Sequence, residues 1–178
     1  LIASGIFPPD IGGPATYSKL LADEFVKRGH EVVVVTYGES AKRNPPAGGQ
    51  NAKLQFKIQN VSRKIPKGAR HGIYLLQVLK EGIHSDVIYA QDAVSAGLPA
   101  ALAALLLRKK FILKVVGDHA WEQGMQRFGV KELLDDFLIK RYGFLISRMR
   151  GVQKFVASRA KRIIVPSEYL KSVVERWG

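Results

Sequence analysis

Cysteine is missing from this 178-residue chain, which removes both disulfides and thiolate metal ligands from its repertoire. That absence agrees with a reducing, cytoplasmic setting. The four histidines, His30, His71, His84 and His119, share no ligand-like spacing, so no structural zinc is expected. Long apolar runs are absent as well. The longest strongly apolar stretch, 93–107, contains Gly97 and Pro99 and is too short to cross a bilayer. No signal-peptide pattern opens the chain, and Leu1 reads as the inside of a strand, so an initiating segment is expected to precede it.

Acidic residues are scarce. Fifteen Asp and Glu stand against 28 Lys and Arg, a formal net charge of +13. From 40 to 80 there is no acid but nine Lys or Arg, and from 138 to 162 there is none against eight. A field of that sign draws phosphates or acidic lipids over distance; the competing reading is a solvated basic surface with no partner. Nucleic acid as the partner finds no support in helix-turn-helix spacing, an aromatic RNA-binding signature or a basic repeat. A nicotinamide-dependent oxidoreductase would need a G-x-G-x-x-G turn, which is missing, and an acid closing the second strand, where Thr36 and Tyr37 stand instead.

With 47% hydrophobic residues, residues 1–178 suffice for one domain with a sizeable core. Its organising stretch is FPPDIGGPATY, 7–17, between a short apolar strand at 1–3 and a helical pattern at 15–28. Gly12 and Gly13 allow close backbone approach, and Pro14 suits a first helical position. Such a turn aims bare amides and the positive end of a helix dipole at one point, where an anionic oxygen fits. The alternative is a plain tight connection.

Downstream, helix one stops at Gly29, and EVVVVTY (31–37) reads as a strand buried on both faces. A loop follows over 38–52, then an alternating strand at 53–59 nearer an edge, and a second basic loop through Arg70. Helices are expected at 72–83 and 93–108, with Pro99 tolerable only in a first turn, and strands at 86–90 and 110–116. Residues 117–129 (GDHAWEQGMQRFG) read as a flexible loop at a strand's carboxyl end, where Asp118, His119, Trp121 and Glu122 are placed for binding or proton transfer. A long helical pattern, 131–160, carries a stripe of Leu138, Tyr142, Leu145, Met149, Val152 and Val156, with Gly143 and Gly151 as points where it bends or divides. Its basic face is either merely wet or rests on anionic lipid headgroups. A strand at 162–165 and a helix capped by Ser167 end the chain. Alternating short strands and helices give an α/β, doubly wound sheet with its ligand at the strands' carboxyl ends.

The opening FPPDIGGPATYSKLLADEFVKRGHEVVVVTYG, with VVGDHAWE and RIIVPSEYLKSVVERWG further on, resembles the amino-terminal domain of retaining, GT-B fold glycosyltransferases of family 4. The likeness covers nearly the whole chain. It implies a Rossmann-like, mostly parallel sheet of about six to seven strands with helices on both faces. It also implies an acceptor-side domain facing a carboxy-terminal, donor-binding domain that is expected to lie beyond Gly178, without which no sugar transfer is expected. On this resemblance Gly12 and Gly13 lie by the donor diphosphate. Either Asp118 or His119 stands near the transferred sugar, Asp118 being the first choice because it comes sooner after the strand. Tyr17, Gln91, Asp92, Trp121 and Glu122 are acceptor-side candidates. The implied reaction moves a sugar from a nucleotide sugar to an acceptor hydroxyl with retention, in polysaccharide or glycolipid synthesis. It needs no metal or other cofactor, and the acceptor is a sugar or lipid-linked molecule. The implied place is cytoplasmic, peripheral on the inner face of an anionic membrane.

Overall fold

The computed structural model describes residues 1–39 and 56–178. In chain order the elements are β1 (Ile2–Ser4), α1 (Gly13–Lys27), β2 (Val33–Tyr37), β3 (Lys57–Val61), α2 (Lys67–Gly82), β4 (Val87–Ala90), α3 (Gly97–Leu107), β5 (Lys110–Lys114), α4 (His119–Arg127), α5 (Leu134–Ile139), α6 (Phe144–Arg159), β6 (Arg162–Ile164) and α7 (Glu168–Glu175). The six strands form one sheet in the order β3-β2-β1-β4-β5-β6, parallel throughout. This is the doubly wound, Rossmann-like α/β arrangement, whose strand order reverses direction between β1 and β4.

Burial explains the valine run of β2. Val34 joins Ile2, Tyr89 and Ala22 in a cluster under α1, while Val35 joins Ala3, Ile88, Leu113, Tyr74 and Val156 under α2, α3 and α6 on the opposite face. Successive side chains point to opposite faces, so a strand covered on both sides reads as a near-continuous apolar run. A third cluster, Ala120, Val130, Leu134, Phe137, Ile146 and Val173, binds α4 through α7 together. Gly29 ends α1 as expected. At φ 84° it lets its own N–H reach Val26 O and the His30 N–H reach Phe25 O, each at 3.0 Å, a Schellman closure. Pro99 sits in the first turn of α3, where no intrahelical N–H is lost.

Four expectations need correction. Helix α2 begins at Lys67 rather than 72, entered through Pro66 and closed by Arg70 N to Pro66 O at 2.9 Å. The loop at 117–129 is largely helix α4, because Asp118 caps it. The 131–160 pattern divides at Gly143 but continues through Gly151, and Leu145 lies 54% exposed while Ile146 takes the buried place. The edge strand runs over Lys57–Val61, later than 53–59, though it does lie at the sheet's edge. The predicted loop at 40–52 and the predicted strand's start at 53–55 lie outside the described residues.

Candidate functional site

The segment between β1 and α1 lies at the carboxyl edge of the sheet, beside the β1/β4 switch point. Gly12 is the N-cap of α1, Gly13 its first residue and Pro14 its second, one place later than expected. No side chain caps this end. Gly12 O accepts from Thr16 N at 3.1 Å, whereas the amides of Gly13 and Ala15 have no backbone partner among the described residues. These are the orphan donors of a helix start, carrying its positive partial charge. The two glycines differ in surroundings. A Cβ on Gly12 would stand 2.8 Å from Ile6 Cδ1, but one on Gly13 would meet nothing within 4 Å. Gly13 is exposed, whereas Ala15 behind it is fully buried.

Polar anchors hold this bend. Gln91 Nε2 donates to Ser18 Oγ at 3.0 Å, Ser18 Oγ lies 3.3 Å from Ser4 Oγ, and Ser4 Oγ donates to Ile6 O at 2.6 Å. All three side chains are buried, so β4, α1 and β1 are pinned by a satisfied chain inside the core. On the other side the Arg63 guanidinium grips both Asp10 oxygens, at 3.2 and 2.5 Å, and donates to Tyr37 O at 3.0 Å. A bidentate pair of this kind fixes direction as well as distance. It walls a cavity of about 470 Å³ that Phe7, Pro9, Tyr37 and Asn60 also line. Tyr37 OH donates to Ser95 O at 3.0 Å, which leaves its oxygen to accept from His71 Nδ1 at 2.8 Å. Burial raises the Tyr37 phenol above its ordinary range.

Asp118 is buried, and both of its oxygens are occupied: Oδ1 accepts from Trp121 N at 2.9 Å and Oδ2 from Trp177 Nε1 at 3.0 Å. His119, the first residue of α4, is half-buried beside it. Burial raises the Glu122 carboxyl, opposed by the nearby His119 and reinforced by Asp118. The indole of Trp121 donates to Glu132 O at 2.9 Å, which ties α4 to the segment before α5. Gln91 belongs to the buried chain described above. Asp92, two residues past β4, accepts from Val94 N at 2.9 Å and Ala96 N at 3.1 Å, shaping the entry to α3. Tyr17 lies on α1 with the Lys114 ammonium 2.8 Å from its ring centroid, an approach favoured by the ring quadrupole.

The elements thus bring Gly12, Gly13, Gln91, Asp92, Asp118 and His119 to the carboxyl ends of β1, β4 and β5. Gln91, Asp92 and Asp118 are engaged inside the fold, while Gly13 and His119 keep room. Sequence reading passed over Asp10, Arg63 and Lys114. Asp10 adjoins the diglycine and could have been singled out; Arg63 could not, since its partner is 53 residues distant. Among the described residues no group of three or more His, Asp or Glu could hold a metal ion, and no helix is long and apolar enough to cross a membrane.

The sequence profile of Glycosyltransferase Family 4 matches residues 11–178. The chain belongs to that family. The match begins inside the diglycine turn and is consistent with an amino-terminal GT-B glycosyltransferase domain. Curated proteins yield no match. Family 4 membership makes this a glycosyltransferase-type domain.

Proposed function

We infer that this family 4 domain serves transfer of a hexosyl-type sugar from a nucleotide sugar to an acceptor hydroxyl, with the anomeric configuration kept, in polysaccharide or glycolipid synthesis. The observation that carries the reading is the unbonded amide of exposed Gly13 at the start of α1, held at the switch point. As the glycosidic bond breaks, the leaving diphosphate gains negative charge. Donors already aimed at that oxygen stabilise it without reorganisation. The scheme calls on no metal, because the amide and the helix dipole meet the charge. Of the residues after β5, His119 is the better neighbour for the transferred sugar. Asp118, with both oxygens taken, positions α4 and thereby His119. Tyr17, Trp121 and Glu122 rim the acceptor side, Gln91 and Asp92 supporting it from the end of β4. A cytoplasmic donor pool and a sugar or lipid-linked acceptor fit this chemistry.

Gly13→Glu tests the reading. Nothing within 4 Å would meet the new Cβ, so the thermal midpoint should stay within about 2 °C. A carboxylate beside the proposed diphosphate position should weaken sugar-nucleotide binding by roughly tenfold or more, read by calorimetry. Unchanged affinity in a folded variant would remove the Gly13 amide from the mechanism.

A further inference from the structure

We propose that residues 139–148, spanning the end of α5 and the first turns of α6, form a docking surface for the anionic lipid face of a membrane. Three large apolar side chains there find no cover: Ile139 is 81% exposed, Phe144 78% and Leu145 54%. At about 100° per residue, Phe144, Arg148 and Leu145 fall within one quarter or so of the α6 surface. The buried Ile146 and Gln153 lie on the side of the helix opposite Phe144. The helix is therefore two-faced in an unusual sense, with apolar residues on its solvent side as well as in the core.

Charge identifies the occupant. Arg141 and Arg148 are exposed on this stretch, and neither takes part in an ion pair among the described residues. Nearby acids are largely neutralised. Lys140 hydrogen-bonds Glu132 and holds its carboxyl down to about 2, and Asp135 is taken by Arg176 and Tyr169 of α7. Asp136 is the one acid of α5 without such a partner among the described residues, against the two arginines. No Asp or Glu occurs from 139 to 167. Exposed Phe, Ile and Leu interleaved with unpaired Arg match the interfacial zone of a bilayer, where rings and alkyl chains enter the acyl boundary and guanidinium groups meet lipid phosphates. A second protein copy with the same positive patch would be repelled.

The position suits the domain's geometry without depending on its chemistry. Helix α6 runs back towards the start of the parallel strand β6, so Phe144 lies at the carboxyl edge of the sheet, the edge that holds Gly13. A membrane resting there would border the cleft mouth.

Flotation with vesicles tests this directly. The chain should bind phosphatidylcholine vesicles that contain phosphatidylglycerol and ignore phosphatidylcholine alone. Arg141→Gln with Arg148→Gln should weaken binding roughly thirtyfold, at about one lipid-facing charge's contribution each. Ile139→Ser with Phe144→Ser should lower it by at least tenfold while raising its sensitivity to salt. All four residues are exposed, so both double variants should melt with the parent. The proposal is overturned by parent-level vesicle binding in both variants, by equal binding to neutral vesicles, or by a dimer in sedimentation that Phe144→Ser dissolves.

Discussion

Replacing Asp118 by alanine should destabilise the domain by about 3 kcal/mol, a fall in thermal midpoint of roughly 6–12 °C for a chain of this size. Two losses add. Removing an N-cap costs about 1 kcal/mol, and the Trp177 indole N–H, now 3.0 Å from Oδ2, would lose its acceptor in a half-buried site at about 1–3 kcal/mol. Asp118→Asn should lose about half as much, since the amide oxygen keeps one bond and its nitrogen cannot accept the other. Trp177→Phe measures the indole contribution alone, and its effect should be far from additive with Asp118→Ala. A calorimetric scan that shows no shift for Asp118→Ala would free this carboxylate from its capping duty and return it to the reaction.

Gly97→Ala should be at least as damaging, by about 3 kcal/mol or more. A Cβ there would lie 2.1 Å from the Asp92 carbonyl oxygen, 3.0 Å from its carbon and 3.3 Å from Val156 Cγ1. The first two belong to backbone just past β4, where the Asp92 side chain is itself tied to Val94 N and Ala96 N, so relief requires moving the strand end or α3. The added methyl separates α3 from the sheet at the edge that carries the site. Gly151→Ala supplies the contrast. That helical glycine has nothing within 4 Å, so alanine should stabilise by about 0.5–1 kcal/mol through helix propensity. Equal denaturant midpoints for the two variants would refute the close approach at Gly97.

The two variants also mark what the sequence can and cannot disclose. Periodicity carried the strands well. Val34 and Val35 announce a doubly covered strand because each needs an apolar face, and Gly29 announces a helix end because it takes the left-handed turn. Helix α4 was hidden: GDHAWEQGMQRFG looks loop-like in composition, and its helical signal is a single capping carboxylate, Asp118, which reads equally as a catalytic acid. Nothing in the sequence around Gly97 asks for glycine, whereas the Asp92 carbonyl, five residues earlier in the chain, explains it. Register on α6 slipped for a related reason. Leu145 and Ile146 are equally apolar, and only packing against Phe137 and Val173 selects Ile146 for the core. The diglycine turn was legible because its meaning is local, while the Arg63–Asp10 clamp beside it depends on the meeting of two loops.

The family match covers 11–178, and the fold brings the diglycine bend to the edge where doubly wound sheets receive ligands. The central physical claim is that the bare amide there takes the diphosphate of the donor. An amide-resolved NMR titration of this chain with a nucleoside diphosphate sugar measures it most directly. The expected result is saturable shifts that are largest at Gly13 and are abolished by Gly13→Glu. Saturation centred on the cavity beside Arg63, with Gly13 unmoved, would contradict it.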